Sequence, residues 1–112
     1  MQVINAKIKN VTIGFDDRER LSVRMNFDGE ATSCTWGFVL INPVQVKNLI
    51  KLMEYTEVRE VKNLEGKIIR VVFKEIFLRG FGHPVDDKFI PLTGIVEPEE
   101  VTLKELSKII ET

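Results

Sequence analysis

Hydrophobic residues recur at every second position through most of the first third of the chain, the period of strands that bury one face. The clearest run sets Leu21, Val23, Met25 and Phe27 on one side and Ser22, Arg24, Asn26 and Asp28 on the other. Upstream, Ile4, Ala6 and Ile8 alternate with polar neighbours, and Val11, Ile13 and Phe15 then alternate in the opposite phase. A slip near Lys9 and Asn10 predicts a β-bulge, because one extra residue returns the apolar set to the same face. Asp16-Asp17-Arg18-Glu19 predicts a polar turn between these strands. Asp28-Gly29 predicts a hairpin of the kind that tolerates positive φ. A third strand over 31–40 places Cys34, Trp36, Phe38 and Leu40 on one face, completing a meander.

The period then changes. Asn42-Pro43 opens a helix, with Asn to cap exposed amides and Pro at the first helical position. Val46, Leu49, Ile50 and Met53 give its apolar stripe, Lys47, Lys51 and Glu54 face outward, and the helix ends near Tyr55 or Thr56. A linking segment over 57–65 carries Val58, Val61 and Leu64 and closes on Gly66. The run 67–73 is too apolar for simple alternation and predicts a central strand. Its partner follows over 76–81, then a loop and a short strand within 80–90, and a connector over 93–100 containing Gly94 and Pro98. Thr102 and Glu105 have capping-box spacing ahead of a short helix with Leu103, Leu106, Ile109 and Ile110 on its apolar face. The expected fold is α+β: an antiparallel β-meander, one central helix, a second β-hairpin and a C-terminal helix. One domain is expected over 1–112, with a core over 1–92 and the connector and last helix over 93–112. That helix needs cover; docking on its own chain is favoured over exchange between subunits, which leaves a homodimer or higher homo-oligomer as the second arrangement.

Composition narrows the setting. A formal net charge of -1 steers the chain toward neither nucleic acid nor an anionic membrane. The single cysteine, Cys34, excludes an intramolecular disulfide and fits a reducing compartment. The N-terminal residues lack the basic and apolar regions of a secretory signal. No apolar run approaches the roughly 20 residues of a membrane helix. A soluble, cytoplasmic protein without membrane contact is expected.

The segment 80–90 is the most unusual stretch. Gly80 and Gly82 flank an aromatic and allow close backbone approach, His83-Pro84 restricts the chain, and Asp86-Asp87-Lys88 clusters charge. Arg79, Gly80, Gly82, His83, Asp86, Asp87 and Lys88 are therefore candidates for binding a ligand or partner, together with Trp36 on the third strand. The plainer reading is a glycine-rich hairpin whose tight turn at 84–87 leaves its charges in solvent. His83, Asp86 and Asp87 are metal-ligand types, but one His and one Cys cannot supply a zinc site, so neither metal nor cofactor is expected. Cys34 shares a face with Trp36 and Phe38, which argues against a nucleophile working with His83. Gly80-Phe81-Gly82 lacks the third glycine and the helix of a dinucleotide fingerprint, and Leu64-Glu65-Gly66-Lys67 lacks the rest of a phosphate loop. Arg70, Lys74 and Arg79 could share a sheet face, with Phe77 and Phe81 at the parity of Arg79 as stacking platforms. Balancing acids and burial of the two phenylalanines argue against nucleic acid.

Val11-Thr12-Ile13-Gly14, the polar hairpin and Trp36-Gly37-Phe38 resemble a class of small phage- and prophage-encoded proteins. The resemblance is strongest in Leu64-Glu65-Gly66-Lys67-Ile68-Ile69-Arg70-Val71 and in the ending from Gly80-Phe81-Gly82 through Asp87-Lys88-Phe89. It spans about residues 3–90; the third strand here has fewer glycines than its counterparts, and the helix within 97–112 is added. The resemblance implies a phage-type accessory gene expressed in a bacterial host. With no paired catalytic constellation near His83, the expectation is a non-enzymatic module that binds a host or phage macromolecule, a protein first, as an antagonist of host defence. A small-ligand or nucleotide-sequestering protein using Arg79, His83 and Lys88 is the second expectation, and a nucleic-acid-associated protein the third.

Overall fold

The computed structural model describes residues 1–92 and 99–111. Its strands are β1 (Gln2–Phe15), β2 (Leu21–Asp28), β3 (Ser33–Val39), β4 (Ile68–Lys74), β5 (Phe77–Gly82) and β6 (Phe89–Pro91). Helix α1 (Pro43–Thr56) follows β3, a 3-10 turn (Val61–Leu64) precedes β4, and α2 (Leu103–Glu111) comes last. The strands form one six-stranded sheet in the order β3-β2-β1-β4-β5-β6, every neighbouring pair antiparallel. The chain is thus α+β with a leading meander and a later hairpin.

β1 joins the two halves of this sheet. Gln2 to Lys7 pair with β4, whereas Lys7 to Phe15 pair with β2. The change of phase expected near Lys9 is a bulge between Lys9 and Thr12, with Asn10 at φ 55°. The bulge frees two amides, and Glu65 takes both: its carboxylate accepts from Asn10 N–H at 3.1 Å and Val11 N–H at 3.0 Å. Ile13 and Phe15 do return to the face of Ile8, opposite Val23 and Leu21, but they stay exposed.

α1 covers one face of the sheet. Leu49, Leu52 and Tyr55 pack there against Ala6, Ile8, Met25, Phe38, Val71 and Phe81. The opposite face is covered over β4–β6 by α2, where Leu106 meets Val72 and Phe89. β4 is consequently buried on both sides, with Ile69, Val71 and Val72 at 0% exposure, which is why its sequence does not alternate. Asn42 Oδ1 accepts from Val44 N–H at 3.0 Å and Gln45 N–H at 3.3 Å, and Glu57 in the left-handed region ends α1.

Two pattern readings need correction. The buried stripe of α1 is Asn48, Leu49, Leu52, Tyr55 and Thr56, whereas Ile50 is 48% exposed. A polar residue inside the true stripe shifted the apparent one by a fraction of a turn. On β5, the register passes from Phe73↔Leu78 to Val72↔Gly80, leaving Arg79 as a bulge. This breaks the parity of the strand: Phe81 is fully buried, while Phe77 opposite Lys74 is 55% exposed. The connector expected over 93–100 lies largely outside the described residues. Among the described residues, no helix is long and apolar enough to cross a membrane.

Candidate functional site

The 80–90 segment uses most of its distinctive residues on itself. A Cβ on Gly82 would lie 2.3 Å from Phe89 Cε1, and one on Gly80 would lie 2.9 Å from the Ile90 carbonyl and 3.2 Å from Leu106 Cδ2. Both glycines therefore admit β6 and α2, the protein's own elements. His83 Nδ1 accepts from Val85 N–H at 3.1 Å and Asp86 N–H at 2.9 Å, so the proton of the neutral ring resides on Nε2. The His83 ring rests edge-to-face on Tyr55, 5.6 Å between centroids. Arg70 donates to the carbonyls of His83, at 2.6 Å, and of Asp86, with its guanidinium 4.7 Å from the Phe89 ring centroid. Asp87 Oδ1 accepts from Leu103 N–H, the first amide of α2, at 2.7 Å.

Arg79 stands apart from that turn, over the Phe77 ring at 5.7 Å. The Asp86 and Lys88 side chains are exposed. Lys74 Nζ donates to the Ile110 carbonyl at the end of α2, at 3.1 Å. Arg70 and Lys74 thus serve the packing of the loop and of α2. Tyr55 Oη donates to Glu100 Oε2 at 2.8 Å, and burial, then Glu100, push the phenol's pKa strongly upward so that it remains a donor.

The open geometry lies elsewhere, at the end of the sheet around Arg20. Asp16 organises the β1–β2 turn: Oδ1 accepts from the amides of Arg18 and Arg20, both at 2.9 Å. Its Oδ2 accepts from Arg20 Nε at 3.0 Å and lies 2.9 Å from Nη2, fixing the guanidinium. The Arg20 amide is the main reason that the Asp16 carboxyl sits below its ordinary pKa.

Three hollows meet at Arg20. One of about 350 Å³ lies between β3 and α1, walled by Trp36, Gln45, Asn48 and Leu92. A second of about 450 Å³ is bounded by Asp16, Asp17, Arg18 and Arg24. A third of about 360 Å³ adjoins Ile41 and Asn42. Leu92 follows the last strand of the order, yet it shares a wall with Trp36 on the first, so the sheet curls around α1. Asn48 is 4% exposed and its Oδ1 has no hydrogen-bond partner; Ser22 Oγ and Arg24 Nε are likewise buried without one. Cys34, half-buried on β3, has its thiol pKa raised by burial.

Of the residues singled out in the sequence, only Trp36 belongs to this end of the molecule. Arg20, Gln45 and Asn48 were missed. Asn48 carried a usable signal, a polar residue amid apolar helix positions, whereas Arg20 looks like any residue of a solvated turn. Among the described residues, no cluster of three or more His, Cys, Asp or Glu could hold a metal ion. No family model, curated protein or solved structure matches the chain.

Proposed function

We propose that the protein is a non-catalytic binding module, an accessory protein of phage type that docks on a host or phage protein through the sheet end around Arg20. The observation that carries this reading is the apolar row at that end. Ile13, Phe15, Leu21 and Ile41 are 62%, 71%, 39% and 75% exposed. Phe15 and Leu21 face each other in the ladder, with Ile13 two residues along on the same face, and Ile41 shares a hollow with Arg20. Grouped apolar side chains on a small monomer's surface mark contact with another protein. The charged turn beside them supplies a polar rim, and the pinned Arg20 is of a residue type enriched at the energetic centres of interfaces. The only histidine commits Nδ1 to backbone amides, which supports a binding rather than a catalytic role.

The test is a tagged pull-down from bacterial host lysate with native mass spectrometry, run beside an Ile13→Ser/Phe15→Ser double variant. The wild type should retain one protein stoichiometrically, and the variant should lose it while keeping its melting temperature. Retention unaffected by the variant, or recovery of a homo-oligomer alone, would count against this surface.

A further inference from the structure

Beyond that docking row, we infer that β3 is the seam of a symmetric dimer, in which it pairs antiparallel with β3 of a second copy of this chain. A sheet edge presents unpaired N–H and C=O groups, and natural proteins blunt such edges with charge, proline, shortness or cover. The two edges of this sheet are treated differently. β6 is three residues long, and Phe89 exchanges backbone hydrogen bonds with Val101 at 2.8 Å and 2.9 Å. β3 is seven residues long, and no charged residue or proline occurs from Ala31 to Ile41.

The free groups of the β3 edge follow from its ladder. Leu40 N–H donates to the Leu21 carbonyl at 2.9 Å and Gly29 N–H to the Thr32 carbonyl at 2.8 Å. In an antiparallel pair, hydrogen-bonded and non-bonded positions alternate, so Cys34, Trp36 and Phe38 turn their backbone groups toward β2. Ser33, Thr35, Gly37 and Val39 turn theirs outward. At Val39 the chain closes its own edge: Gln45 Oε1 accepts from the Val39 amide at 2.7 Å, and Asn42 N–H donates to the Val39 carbonyl at 3.1 Å. Among the described residues, none bonds the outward groups of Ser33, Thr35 or Gly37.

That free set is what selects a second copy as the occupant. Its members are spaced evenly about Thr35, and a twofold interface requires such self-complementarity. An axis through Thr35 sets Ser33 of one copy against Gly37 of the other, and Thr35 against itself. Each facing pair exchanges two hydrogen bonds, so every free outward group finds a partner. An axis through Trp36 fails, because it opposes Ser33 to Val39, whose groups are taken. The Thr35 register also opposes Cys34 to Trp36, both only half-buried in the single chain, and brings no like charges together. None of these residues belongs to the Ile13–Phe15–Leu21–Ile41 row, so this dimer and the protein-docking surface fail or stand separately.

The full chain is measured by sedimentation equilibrium and native mass spectrometry under reducing conditions, from low to high micromolar concentration. Wild type should be a concentration-dependent dimer. Thr35→Lys, which opposes two like charges at an exposed position, should weaken that dimer about tenfold or more while keeping the circular dichroism spectrum. A second test reads the register and stands even if Thr35→Lys does not fold. In a Cys34→Ser background, oxidation should link Thr35→Cys into a covalent dimer, since facing Cα atoms about 5.5 Å apart admit a disulfide. Ser33→Cys in the same background should stay unlinked. Wild type that is monomeric throughout the range would overturn the inference. So would a folded Thr35→Lys that dimerises as tightly as wild type, or linkage at Ser33→Cys in place of Thr35→Cys.

Discussion

A methyl group at Gly82 would lie 2.3 Å from Phe89 Cε1 and 2.4 Å from Cδ1, closer than side chains approach one another. Gly82→Ala should cost about 1–3 kcal/mol, the usual penalty of overpacking, in urea unfolding. A loss under about 0.5 kcal/mol, typical of an unconstrained surface site, would show that the ring swings aside. The sequence did announce close approach at Gly80 and Gly82, but not of what: the approaching groups are β6 and α2 rather than a ligand. Asp16 gives a second residue-level test. Its pKa is depressed by folding, chiefly through the Arg20 amide. A depressed carboxylate contributes stability above its unfolded value of about 3.9, and that contribution disappears as pH falls through the folded value. Wild type should therefore lose melting temperature more steeply than Asp16→Asn below about pH 4. Parallel curves would mean that the turn holds without this carboxylate.

At the scale of elements, α2 is attached at several points. Thr102 and Glu105 cap it reciprocally, at 3.2 Å and 3.1 Å, and donation by the Thr102 amide lowers the Glu105 pKa. Asp87, from the loop, takes the Leu103 amide. Asp87→Ala should cost about 1 kcal/mol, the typical value of a lost cap. Amide exchange in Leu103–Glu111 should quicken more than in β1 or β4, and uniform quickening would place the effect in global stability instead. The elements themselves were legible because their signals are local: the alternation in β2, the phase slip in β1, the Asn-Pro start of α1 and the capping box of α2. What was not legible depends on neighbours. The orientation of α1 was obscured by Asn48, whose presence in the buried stripe makes sense only beside a cleft. The β5 bulge at Arg79 has no signature in a strand that already contains two glycines.

At the scale of the molecule, the candidate site exists only because the sheet curls. Trp36, Asn48 and Leu92 come from three separate elements, and no periodicity announces that the residue after β6 will meet the edge of β3. The apolar row was visible as Ile13, Phe15 and Leu21, but alternation alone assigned those residues to the core. They lie on the part of the hairpin that β4 does not pair, since β4 meets β1 only from Gln2 to Lys7, and they stay exposed there, which only the packed structure reveals. The division of β1 has a further consequence, for synthesis. Lys7 to Phe15 find β2 at once, a local hairpin, whereas Gln2 to Lys7 have no partner until β4 has been translated. A nascent chain that has released β3 and α1 therefore presents an unpaired β1 edge, the kind of template on which chains stick to one another. That interval closes only when β4 docks, so recovery of folded protein during translation is governed by a strand far downstream of the edge it protects.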